Sequence, residues 1–175
     1  MKYFLLIIVL VGAAWNWYAR NTLSEEKVVA LYQAQGEAWH KQDGKLLCDQ
    51  LSNDFQGTVQ AVYGARFETE TTNKQAQCDS VDAILDLKSE TDKRLPAGQQ
   101  LGWTYRFEIK SINIKDDKKS AEVQVKTHLN MGNMLIIDSE GTDTVALRKG
   151  ALVFVGGEAS AKYSGVLGDA LSAAR

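Results

Sequence analysis

The chain has 175 residues, 45% of them hydrophobic, so it can bury one core but is too short for two ordinary domains and a linker. A formal net charge of −2 and a pI near 5.7 leave no basic field for phosphates. No lysine- or arginine-rich run interleaves with aromatics, so no nucleic-acid partner is expected, and phosphoryl transfer and zinc proteolysis lack their glycine-rich loop and paired helical histidines.

Lys2 precedes an apolar run from Tyr3 to Ala19 that is broken only by Asn16 and closed by Arg20. At about 1.5 Å per residue the run reaches roughly 25 Å, the short end of a membrane span. Gly12 and Ala14 would serve signal cleavage only in an unusually short peptide, while Trp15, Trp17 and Tyr18 read as an interfacial aromatic belt. The run is therefore expected to be an uncleaved signal anchor, with a cleaved signal peptide as the alternative, dividing the chain into residues 1–21 and a domain over 22–175. Lys2 and the amino terminus favour a cytoplasmic start. The domain is then expected outside the cytoplasm, anchored on the periplasmic side of the inner membrane, or secreted if the segment is cleaved. In that oxidising compartment Cys48 and Cys78 are expected to pair as a disulfide. Neither has a second cysteine or histidine at ligand spacing, so no metal is expected.

Thr22-Leu23-Ser24-Glu25 fits a capping box and predicts a helix from that point, with Val28, Leu31, Tyr32, Ala34, Ala38 and Trp39 on a helical period and an end at Asp43-Gly44. Asp43 is expected to cap a short second helix with Leu47, Cys48, Leu51 and Phe55 on its apolar side. Phe55 to Tyr63 and Ala65 to Thr71 read as a strand pair broken at Gly64. Thr72 and Gln75 repeat the capping spacing ahead of a third helix that carries Cys78, Val81, Ile84 and Leu85 on one side. Lys93 and Arg94 suit its carbonyl end, and Pro96 and Gly98 stop it.

From Leu101 to Tyr163, four long segments alternate apolar and polar residues and read as one curved antiparallel sheet. Trp103, Tyr105, Phe107 and Ile109 share one face of the first; Ala121, Val123, Val125, Thr127, Leu129 and Met131 share one face of the second. Asp116-Asp117 and Lys149-Gly150 make turns, and Gly156-Gly157 reads as a bulge that bends the last strand.

The order of these elements resembles the nuclear transport factor 2-like superfamily over Thr22 to about Tyr163. The phrase VVALYQAQGEAWHKQDGKLLCDQLSNDF, the break at Lys41-Gln42-Asp43, the entry into strand one from Leu51 to Phe55 and the closing VALRKGALVF carry the resemblance. It implies an α+β fold, a cone-shaped barrel of a curved, mainly antiparallel sheet covered by three N-terminal helices, here preceded by a hydrophobic segment. It implies no single activity, because the superfamily holds ketosteroid isomerases, dehydratases, polyketide cyclases, transport adaptors and periplasmic domains of secretion-system scaffolds.

Superfamily enzymes place an aspartate, a histidine or both inside the cone, supported by tyrosines. Here His128 is out of phase with Val125, Thr127 and Leu129 and falls on the solvent face, and His40 lies beside Trp39 in the last turn of the first helix. Arg106 and Glu108 belong to the outer face, and Asp54, Asp138, Asp143 and Glu158 are placed at strand ends or turns. No catalytic residue and no cofactor are therefore assigned. The inward set Trp39, Trp103, Tyr105, Phe107 and Thr127 is expected to be packed core, with Trp39 facing Trp103; the alternative makes it the wall of an apolar ligand pocket. The expected function is that of a non-enzymatic, membrane-tethered envelope domain that binds a protein partner or serves as an accessory scaffold. The alternative is an apolar small-ligand binder or a degenerate isomerase-like enzyme that brings Tyr105 together with Asp54 or His40. The charged outer face predicts a monomer or a weak homodimer.

Overall fold

The computed structural model describes residues 21–63, 66–96 and 98–167. The segment from Tyr3 to Ala19, on which the anchor expectation rests, and the break at Gly64 lie outside the described residues. Among the described residues, no helix is long and apolar enough to cross a membrane.

Helix α1 spans Glu25–Lys41 and α2 spans Gly44–Asp49. Strands β1 (Leu51–Tyr63) and β2 (Arg66–Asn73) follow, then α3 (Lys74–Arg94). Four strands complete the sheet: β3 (Trp103–Ile114), β4 (Ser120–Met131), β5 (Leu135–Arg148) and β6 (Ala151–Ser164). Residues 165–167 turn helical beyond the last expected strand, and the N–H groups of Val166 and Leu167 donate to the Asn133 and Met134 carbonyls in the β4–β5 turn.

The helix starts differ from the expected capping boxes by one or two residues. Ser24, not Thr22, caps α1 and accepts the Lys27 N–H, which leaves Glu25 and Glu26 in the first turn, where the helix dipole favours acids. Asn73, not Thr72, caps α3 by accepting the Ala76 N–H at 2.9 Å. Asp43 caps α2 as expected, through the Leu46 N–H at 2.9 Å. That helix stops at Asp49, so Leu51 and Phe55 belong to β1. The Gln50 carbonyl is taken by the Phe154 N–H at 2.9 Å, which captures the chain for the sheet.

The six strands lie in the order β2-β1-β6-β5-β4-β3. All pairs are antiparallel except β1 with β6, which run parallel from Gln56↔Gly156 to Tyr63↔Tyr163. Three register shifts interrupt the ladders of the described strands, one of them between Leu51 and Gln56 where β1 meets β6. A register shift between Ile109 and Ser111 turns Ile112 and Ile114 inward, and a shift between Thr144 and Val145 leaves Val155 without a partner just before Gly156-Gly157.

The helices cover one face of this sheet. Val28, Leu31 and Tyr32 of α1 pack with Val123, Val125, Val145 and Phe154, and a second cluster of Ala38, Leu47 and Val81 forms where the three helices meet. Ala34 is exposed, contrary to the periodic expectation, and Gly36 is buried instead. A Cβ there would stand 3.4 Å from the Phe107 ring, at ordinary van der Waals contact, so α1 packs closely on β3 at this point. Cys48 of α2 and Cys78 of α3 form a disulfide. Such a bridge points to an oxidising environment. Lower on α3, the buried Lys88 pairs with Asp92 at 2.5 Å, and Asp92 also accepts the Leu101 N–H, which fixes the chain entering β3.

Candidate functional site

The helix-covered interior contains an acid that the strand-end placement of Asp143 did not anticipate. Strand β5 begins at Leu135, so Asp143 lies well inside it, opposite Val123 and on the same face as the buried Val145. The Tyr32 hydroxyl on α1 donates to Asp143 Oδ2 at 2.7 Å. The other oxygen lies over Gly157, where a Cβ would come within 2.9 Å of Oδ1, so glycine at this position makes room for the carboxylate. The expectation that no acid faces the interior is therefore corrected. The signal was the two-residue period that puts Asp143 in phase with Val145 and Leu147.

Burial raises the Asp143 pKa above the ordinary carboxylate range, against the lowering effect of the Tyr32 hydrogen bond. Burial first, and then the Asp143 charge, hold the Tyr32 hydroxyl far above its usual range, and burial does the same to Tyr105. Tyr32 is thus a fixed proton donor, and Asp143 is the group of the pair that can change protonation. Tyr32 itself is 0% exposed, with its ring centroid 5.7 Å from Phe107 and 5.4 Å from Phe154 in an edge-on contact.

The expected inward set is brought together along α1 and β3. Trp39 faces Trp103 at 5.9 Å and stacks on Tyr105 at 5.6 Å. The polar atoms of the set find partners inside the chain: Trp103 Nε1 donates to the Trp39 carbonyl at 2.8 Å, and the Tyr105 hydroxyl bonds Gln35 Oε1 at 3.2 Å. Thr127 shares its hydroxyl with Ser139 at 2.8 Å, on the row that also carries Phe107. Neither Asp54 nor His40 converges on Tyr105. His40 is exposed, and Asp54 lies on the surface at 3.5 Å from Arg148. Among the described residues, Gln50 Oε1 and Ser52 Oγ are buried without a hydrogen-bond partner where α2 enters β1.

On the opposite face of the sheet, His128 meets Asp138 at 2.7 Å and Lys126 meets Glu140 at 2.8 Å, while Glu108 pairs with Lys110 rather than with its cross-strand neighbour. Among the described residues, no three histidine, cysteine or acidic side chains are grouped so as to hold a metal ion.

No protein-family model matches the chain, and no curated protein does. Solved structures match its fold. A nuclear transport factor 2-like protein of unknown function from Shewanella oneidensis aligns with 77% of this chain and 97% of its own, at 16% identity and a TM-score of 0.53. A second such protein, from Shewanella baltica, covers 78% and 91% at 13% identity and a TM-score of 0.52. A putative scytalone dehydratase from Novosphingobium aromaticivorans covers 78% and 82% at 12% identity and a TM-score of 0.51. At these identities the likeness extends to the fold, which is that of the nuclear transport factor 2-like proteins, and no further.

Proposed function

We propose that this chain is a non-catalytic domain displayed on the periplasmic side of the inner membrane, tethered by its N-terminal segment and serving a protein partner or an envelope assembly as a scaffold. The filling of the interior carries the reading. The aromatic side chains that would line a pocket instead stack on one another, and their polar atoms are satisfied within the chain. The disulfide between Cys48 and Cys78 supports placement outside the cytoplasm. The test is cell fractionation of the full chain with an alkaline membrane wash, followed by protease added to spheroplasts. Retention in the membrane with cleavage from outside is expected. Release by the wash, or protection from the protease, would defeat the tethered reading.

A second reading is favoured by Asp143. A carboxyl with a raised pKa, hydrogen-bonded by a buried tyrosine, is the kind of group that moves protons in an apolar site. The chain would then be an apolar-ligand binder or an isomerase-like enzyme with Asp143 as the proton carrier and Tyr32 as its positioning donor. A fold neighbour is described as a putative scytalone dehydratase. Asp143→Asn separates the readings: it should abolish ligand-dependent proton exchange under the second and leave partner binding intact under the first.

A further inference from the structure

The outer face of the sheet falls into two halves that differ in how their polar side chains are used. On β3, β4 and β5, charged groups pair with one another, as in Lys126–Glu140 and His128–Asp138. Along the groove over β2, β1, β6 and the second half of β5 pairing is sparser, with Arg148–Asp54 at one end. The side chains of Gln56, Thr58, Thr71, Thr142, Thr144 and Glu158 make no hydrogen bond or ion pair with any described residue, yet all six line one open groove of about 950 Å³.

Strand register arranges this groove in two rows. One runs Asn73, Gln56, Gly156, Thr144, Glu122 and the other Thr71, Thr58, Glu158, Thr142, each crossing neighbouring strands at hydrogen-bonded spacing. Five strands at about 4.8 Å give a length of roughly 19 Å, too long for a single small molecule. The backbone of Gly57, Gly156 and Gly157 forms part of the floor.

The lining decides the class of ligand. It contains no lysine or arginine, and its two charged groups are carboxylates, which disfavours phosphates, acidic sugars and acidic peptides. One of the two, Glu122, is already paired with Lys115 at 2.6 Å, which leaves Glu158 alone to attract a cation and gives a basic peptide little charge to read. The only large apolar side chain in the lining is Val155, too little for a greasy ligand. What remains is a rigid array of hydroxyl, amide and carboxylate groups with free donors and acceptors, the complement of a chain of neutral hydroxyls.

We propose that this groove binds an uncharged oligosaccharide laid across β2, β1, β6, β5 and β4. The site is independent of the interior and of the membrane tether, so it stands whether or not either part of the proposed function does.

The test is saturation-transfer NMR on the full chain in micelles of a detergent without a sugar headgroup, with chitotetraose, cellotetraose and maltotetraose as neutral probes. A heparin tetrasaccharide and tetralysine serve as charged probes. At least one neutral tetrasaccharide is expected to show saturation transfer, with a sub-millimolar Kd that is insensitive to salt. Gln56→Ala with Thr144→Ala should weaken it at least about tenfold, and Thr58→Ala with Thr142→Ala, on the other row, should do the same. His128→Ala, on the paired half of the face, should not change it. Transfer to none of the three neutral sugars, transfer only to a charged probe, or binding unmoved by both row variants would each overturn the proposal.

Discussion

Replacing Tyr32 with phenylalanine removes one atom from the interior and tests the central electrostatic contact of the structure. The ring is 0% exposed and wedged between Phe107 and Phe154, and phenylalanine fills the same space, so the substitution leaves no cavity to confuse the result. What is lost is the 2.7 Å hydrogen bond to Asp143 Oδ2. A hydrogen bond to a charged acceptor is worth about 1.5–3 kcal/mol, against about 0.5–1.5 kcal/mol for a neutral pair. The cost should therefore depend on whether Asp143 is ionised.

Burial raises the Asp143 pKa, so the folded chain holds this proton more tightly than the unfolded chain does. In the window between the ordinary carboxylate pKa and the raised one, stability due to this group falls as pH rises; above the window it stays at its lower level. The Tyr32 hydroxyl opposes that rise, so removing it enlarges the alkaline penalty. Urea melts of Tyr32→Phe should show a loss of about 1.5–3 kcal/mol at a pH above the raised Asp143 pKa, where the carboxylate is ionised. The loss should shrink to about 0.5–1.5 kcal/mol near pH 4, where the folded carboxyl is protonated. Equal losses at the two pH values would refute the ionised, hydrogen-bonded pair.

Reduction of Cys48–Cys78, or Cys48→Ser, removes a cross-link over a sequence separation of 30 and should cost about 3–4 kcal/mol in denaturant melts; thiol labelling of the unfolded, unreduced chain should recover no free cysteine. Trp39→Ala and Trp103→Ala should each cost about 3–5 kcal/mol, because each ring packs on other aromatics, and losses below about 1.5 kcal/mol in the same melts would mean that the rings border open space. Gly157→Ala would set a methyl 2.9 Å from Asp143 Oδ1 and 3.0 Å from the Thr142 carbonyl. Thermal melts should register a loss of about 1–3 kcal/mol that shrinks when Asp143 is also alanine.

The strands were legible because a half-buried strand writes its two faces into the sequence. The inward residues of β4 from Ala121 to Met131, and those of β3 up to Ile109, fall where period two puts them. Past Ile109 one extra residue shifts the phase, and nothing local in Lys110 or Ser111 announces it. The helix starts were off by a residue or two because several neighbouring residues can cap and only tertiary docking selects one: Leu23 is pinned by its N–H to the Lys118 carbonyl at 2.7 Å, which leaves Ser24 at the helix mouth. The parallel pairing of β1 with β6 joins residues about a hundred positions apart and has no local signature. Asp143 was missed for a related reason. Its phase marked it as inward, but an acid becomes tolerable inside only through Tyr32, 111 residues away on another element.

Titration of the full chain with an apolar aromatic ketone such as acetonaphthone, followed by tryptophan emission, tests the filled interior most directly. Trp39 and Trp103 stand at its helix-covered end, and an occupant beside them would quench their light. With the rings packed on Tyr105 and on each other, emission should fall only in proportion to added ketone, with no saturation and no dependence on Asp143→Asn. A saturable response at one equivalent, lost in Asp143→Asn or Tyr32→Phe, would contradict the packed-interior account and establish a ligand site on Asp143.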